Sequence, residues 1–69
     1  MRLSARNVLR GRVKSLVPGA VNCEVTLELP GGIEIVSVIT KSSSEALGLK
    51  VGGQAYAVVK ASNVIIGVD

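Results

Sequence analysis

The chain has no histidine, tryptophan or phenylalanine, and it holds one tyrosine, Tyr56, and one cysteine, Cys23. Without histidine, the usual proton shuttle near neutral pH and the commonest metal ligand are both missing. One cysteine forms no internal disulfide and supplies no cysteine cluster for a metal, which fits a reducing compartment. No apolar run approaches the ~18 residues that a membrane span needs. Arg2, Arg6, Arg10 and Arg12 interrupt the first segment, where a signal peptide requires an unbroken apolar core. A cytoplasmic protein away from membranes is expected. The G-x-x-x-x-G-K-[ST] loop that cradles nucleotide phosphates is absent as well. Glu24, Glu28 and Glu34 fall at outward-facing strand positions and Glu45 at a helix start, so no carboxylate pair is poised for acid and base roles. With neither cofactor nor catalytic set in view, the chain reads as a binder and not an enzyme.

What is present is aliphatic. Hydrophobic residues make up 48% of the 69, drawn almost wholly from Val, Ile, Leu and Ala. A chain of this length forms one domain, 1–69, whose own core is marginal, and the aliphatic excess points to burial against other subunits. Eight basic residues against five acidic ones give a net charge of +3, which favours an anionic partner without choosing its kind.

Apolar and polar residues alternate without a fault over Cys23–Leu29, the period of a half-buried strand. Cys23 shares the phase of Val25 and Leu27, which makes it a buried structural thiol. A weaker alternation over Asn7–Val17 ends at the turn pair Pro18-Gly19, so the two strands are expected to form a hairpin, with Lys14 facing Glu24 and Arg10 facing Glu28. Pro30-Gly31-Gly32 makes the next turn. Ile33–Thr40 forms a third strand, its Val36, Val38 and Ile39 arranged as though buried on both faces. Ser42-Ser43-Ser44-Glu45 has the spacing of a capping box, and Gly48 sits where a short helix would end. Val51-Gly52-Gly53 turns the chain again into a fourth strand, Gln54–Lys60, and a fifth, Val64–Val68. Three strands, a short helix and two strands is the order of the five-stranded Greek-key OB-fold. The expected class is therefore all-β, an OB-fold-like barrel with its helix between strands three and four.

Two polar clusters interrupt the apolar segments without completing a turn motif: Ser4-Ala5-Arg6-Asn7 before strand one and Lys60-Ala61-Ser62-Asn63 between strands four and five. Each has one cation, one hydroxyl and a small residue that lets an anion approach the backbone, and neither has an acid. A fully ionised oxyanion offers only acceptors, so its ideal site contains only donors. Arg6 and Lys60 supply charge, Ser4 and Ser62 hydroxyls, and Ala5 and Ala61 amides. Taken alone, such clusters also occur in ordinary loops.

Ser4-Ala5-Arg6-Asn7 followed by Leu9, Gly11 and Val13, then Gly31-Gly32, then Lys60-Ala61-Ser62-Asn63-Val64-Ile65-Ile66, together resemble the molbindin (Mop) family across nearly the whole chain. That family is similar to the TOBE domains of molybdate transporters and of the molybdate-responsive repressor. The resemblance implies a homo-oligomer, a hexamer built as a trimer of dimers. It would hold molybdate or tungstate at subunit interfaces, for storage or buffering of molybdenum. The family's main site would carry over onto Ser4, Ala5, Arg6 and Lys60, with Ala61 and Ser62 beside them. Its second class of site, on symmetry axes, has candidates only in Gly19, Ala20, Val21 and Asn22 and in serines near the helix start such as Ser43. Asn22 could as easily stabilise its own turn, and Ser43 a helix terminus. One copy with no fused nucleotide- or DNA-binding part favours buffering over signalling.

Two rival readings remain. OB barrels often bind single-stranded nucleic acid, and five of the eight basic residues lie within the first fourteen positions. Such grooves use aromatic platforms worth ~1–3 kcal/mol per base, however, and Tyr56 is the only aromatic. A carrier of the organic molybdenum cofactor meets the same objection. A site built from Lys, Arg, hydroxyls and amides should bind its anion with nearly constant affinity between about pH 6 and 8, where none of these groups titrates. Calorimetric titrations across that interval check this, and a sharp transition within it would reveal a titrating group in the site.

Overall fold

The alternation over Cys23–Leu27 places three side chains on one face of a strand. In the computed structural model, which describes Met1–Asp69, Cys23, Val25 and Leu27 join Val13 as the buried apolar core. Leu16, Ile35, Ile39, Leu49, Ala55 and Ala57 pack around them, half-buried. The elements are β1 (Asn7–Pro18), β2 (Asn22–Glu28), β3 (Glu34–Thr40), α1 (Lys41–Ala46) and β4 (Gln54–Val59), followed by a 3-10 turn, Ala61–Asn63. All neighbouring strands are antiparallel, in the order β3-β2-β1-β4. The chain is all-β and OB-fold-like, with its one short helix between β3 and β4. That helix is not long and apolar enough to cross a membrane.

The β1–β2 register differs from the expected one. Arg12, not Arg10, stands opposite Glu28, and Glu24 faces Val17. The cause is the turn. Gly19 N donates to Asn22 O at 2.7 Å, so the chain reverses over Gly19–Asn22 and Pro18 still pairs with Cys23. Lys14 is the extra residue of a bulge between Val13 and Ser15, and its ammonium reaches Glu34 on β3 instead of Glu24. The hydrogen bond and charge of Glu34 hold Lys14 above the ordinary lysine value of 10.5. A raised folded-state value means that this contribution is complete at neutral pH and lost only as the pH climbs through the raised value.

The helix is capped two residues earlier than a Ser42–Glu45 box would place it. Thr40, the last residue of β3, has extended backbone, and its Oγ1 accepts from Ser43 N at 3.1 Å. The strand hands its terminal hydroxyl directly to the helix, so Ser42 falls inside the first turn. Gly48 does end the helix, at φ +64.

Val36 and Val38 on β3 are exposed, so that strand buries one face within the chain and not two. The expected fifth strand does not form either. Residues 64–68 are irregular, and Ile65 and Val68 are 93% and 95% exposed. β4 is an edge strand, and no segment of the same chain lies beyond it to receive 64–68.

Gly11 marks the closest approach in the sheet. A Cβ there would lie 2.8 Å from Glu28 O and 2.9 Å from Leu29 Cδ2, so only glycine lets the end of β2 settle against β1. Gly11→Ala should lower stability by about 1–3 kcal/mol through overpacking. Gly67→Ala, where a Cβ meets nothing within 4 Å, is the neutral control. Urea denaturation compares the two, and equal midpoints would contradict the close approach.

A candidate oxyanion site

Antiparallel pairing brings the two polar clusters together. Asn7, the first residue of β1, is in register with Val59, the last of β4. The Asn7 amide also donates from Nδ2 to Val59 O at 3.2 Å. Whatever precedes Asn7 therefore emerges beside whatever follows Val59. Ser4, Ala5 and Arg6 meet Lys60, Ala61 and Ser62 around a cavity of about 550 Å³, whose seventh lining residue is Val58.

The 3-10 turn shapes one wall. Asn63 N donates to Lys60 O at 2.8 Å, and the amides of Ala61 and Ser62 precede that first bond of the turn. Both residues line the cavity. Neither Arg6 nor Lys60 belongs to an ion pair, since the two salt bridges are Arg12–Glu28 and Lys14–Glu34. No acid lines the cavity. Its polar side chains are two cations and two hydroxyls, a set that neutralises and hydrogen-bonds an ion bearing only acceptors.

Val58 was not legible as a wall from composition, although the period of a strand contains the signal. Val58 and Lys60 are two apart, hence on the same side. The role of Asn7 as a clamp between the clusters was equally unmarked, because an Asn at a strand start has many uses.

The second group of candidates is also assembled. Asn22 is opposite Thr40 in the β2–β3 register, and Lys41 N donates to Val21 O at 2.7 Å. The turn Gly19-Ala20-Val21-Asn22 thus lies against the start of α1, where Ser43 sits. Thr40 Oγ1 donates to Ser43 Oγ at 2.7 Å while accepting from Ser43 N, so Ser43 does serve the helix cap. The Asn22 carbonyl serves the turn, accepting from Gly19 N.

Comparison with known proteins places this geometry in context. Residues 3–66 match the TOBE domain family. Molybdenum-pterin-binding protein 2 of Clostridium pasteurianum is 48% identical over 66 residues, covering 96% of this chain and 97% of its own. Among solved structures, the cytoplasmic molybdate-binding protein ModG, with molybdate bound, superposes with a TM-score of 0.96 at 61% identity. That match takes in all of this chain and 49% of ModG. A molybdate-binding protein from Sporomusa ovata gives a TM-score of 0.92 at 34% identity, over 99% of this chain and all of its own.

Proposed function

The chain belongs to the TOBE domain family, and from that premise we propose that it binds molybdate or tungstate in the cavity of Ser4, Ala5, Arg6, Lys60, Ala61 and Ser62. One observation carries this reading: six residues chosen as donors from opposite ends of the chain line a single cavity that no carboxylate enters. Each charge-assisted hydrogen bond there contributes on the order of 1.5–3 kcal/mol. ModG and the Sporomusa ovata protein, which bind molybdate, support the choice of anion.

The protein acts as one domain, 1–69, that stores or buffers the ion in the cytoplasm without transforming it, and it needs no cofactor, membrane or nucleic acid to do so. It works as a homo-oligomer, a hexamer arranged as a trimer of dimers. The support is the small core, four apolar residues, beside many exposed aliphatic ones: Val36 and Val38 on β3, Val58 on β4, and Ile65, Ile66 and Val68 beyond it. Both sheet edges, β3 and β4, lack a strand partner in the chain. A second protomer against the cavity closes it from water, and an ion that binds only the associated form then stabilises association. A weaker anion site at Gly19, Ala20, Val21, Asn22 and Ser43 belongs to the same reading. Ser43 Oγ accepts from Thr40 and keeps its own proton to donate.

Carriage of a molybdenum-pterin cofactor is the second reading, favoured by the name of the Clostridium relative. Against it, the cavity contains no aromatic ring on which a pterin would stack.

Arg6→Ala and Lys60→Ala should each weaken molybdate binding by about tenfold or more, a loss of roughly 1.4 kcal/mol. Both variants stay folded, because neither side chain has an intrachain ion-pair partner. Titration calorimetry measures the loss, and unchanged affinity in both variants would refute the site. Native mass spectrometry with and without molybdate should show a hexamer that gains mass in whole molybdate units. A monomer under both conditions would reject the interface.

A further inference from the structure

A second cleft lies farther along the same two strands. Arg10 and Arg12 are two apart on β1, so both project to one side of the sheet. With Glu28, Leu29, Gly52 and Gln54 they line an open, shallow cleft of about 460 Å³. The bare backbone at Gly11, between the arginines, admits the end of β2, and the Glu28 carboxylate lies beside the Arg12 guanidinium.

Two contacts link side chains of the cleft. Arg12 Nη2 donates to Glu28 Oε1 at 3.0 Å, while Arg10 has no acidic partner. Gln54 stands opposite Arg12 in the β1–β4 register, and its Nε2 donates to the Tyr56 hydroxyl at 3.0 Å. The second carboxylate oxygen of Glu28 and the side-chain carbonyl of Gln54 are left as acceptors.

This donor set is the chemical converse of the oxyanion cavity. A fully ionised tetrahedral anion would meet the lone pairs of Glu28 and Gln54 with nothing to donate to them. A ligand that carries both an anionic group and hydroxyls satisfies every group present. Arginine forks match phosphate oxygens, and the hydroxyls of an attached body supply the protons that Glu28 and Gln54 accept. Leu29 and Pro30 are the only apolar side chains in the lining, which suits a polyhydroxylated body and not a flat aromatic one. We propose that this cleft binds a small polyhydroxylated phosphate monoester, of the sugar phosphate class, with the phosphate on Arg10 and Arg12 and the hydroxyls on Glu28 and Gln54.

The inference is independent of the molybdate reading, since the two cavities share no residue. The test is amide chemical-shift titration of the isotope-labelled full chain with glucose 6-phosphate, with inorganic phosphate and glucose in separate arms. Glucose 6-phosphate should give saturable shifts at Gly11, Gly52 and Gln54, with affinity about tenfold above that for inorganic phosphate, and glucose should give none. Arg10→Gln, an exposed substitution, should weaken the ester about tenfold and leave both thermal unfolding and the molybdate response unchanged. Gln54→Ala should weaken the ester but not inorganic phosphate. The proposal is overturned by shifts that never saturate, by equal affinity for the ester and free phosphate, or by an Arg10→Gln variant that binds the ester as the parent does.

Discussion

Where β1 begins and β4 ends, Asn7 faces Val59 and donates its side-chain amide to the Val59 carbonyl at 3.2 Å. Two segments from opposite ends of the chain therefore leave the sheet side by side. Neither segment is a regular strand, and neither has a core of its own. Their relative position is inherited from the β1–β4 ladder, which runs on through Arg12 and Gln54 and is extended by Val13 N donating to Gly53 O at 2.8 Å. The sheet thus sets how the two flanking loops lie relative to each other.

The same ladder explains how so small a core suffices to hold the cavity in shape. Val13 is 1% exposed and sits where β1 pairs with β2 on one side and with the Gly52-Gly53 turn on the other. Around it, Cys23, Val25 and Leu27 are fixed by the neighbouring strand. The outer faces are another matter. Val36, Val38 and Val58 are as aliphatic as the core and remain in water within a single chain. Burial of such surface is worth roughly 25 cal/mol per Å², so both edges of the sheet, β3 with Val36 and Val38 and β4 with Val58, stand to gain from a neighbour.

Much of this was legible before any coordinates. The alternation over Cys23–Leu27 named three of the four core residues, and Gly48 marked the end of the helix at its positive φ. The six donor residues could be chosen because each cluster combined a cation, a hydroxyl and a small residue. What escaped was information held between elements. The β1–β2 register depends on whether the chain reverses at Pro18-Gly19 or over Gly19–Asn22, and both stretches carry turn residues. The bulge at Lys14 leaves no mark in composition, yet it sends that ammonium to Glu34. Thr40 outranked Ser42 as the helix cap because β3 delivers it in extended conformation. The Val64–Val68 run has the composition of a strand, but a strand exists only beside another, and this chain has none to give it.

That last segment also bears on how the single chain behaves with its aliphatic end uncovered. Val64-Ile65-Ile66 and Val68, β-branched and free of proline, form the kind of window that stacks into aggregates when left uncovered. Lys60 on one side and Asp69 on the other bracket it with opposite charges, the placement used by gatekeeper residues. The chain thus carries an aggregation-prone stretch and the charges that restrain it side by side.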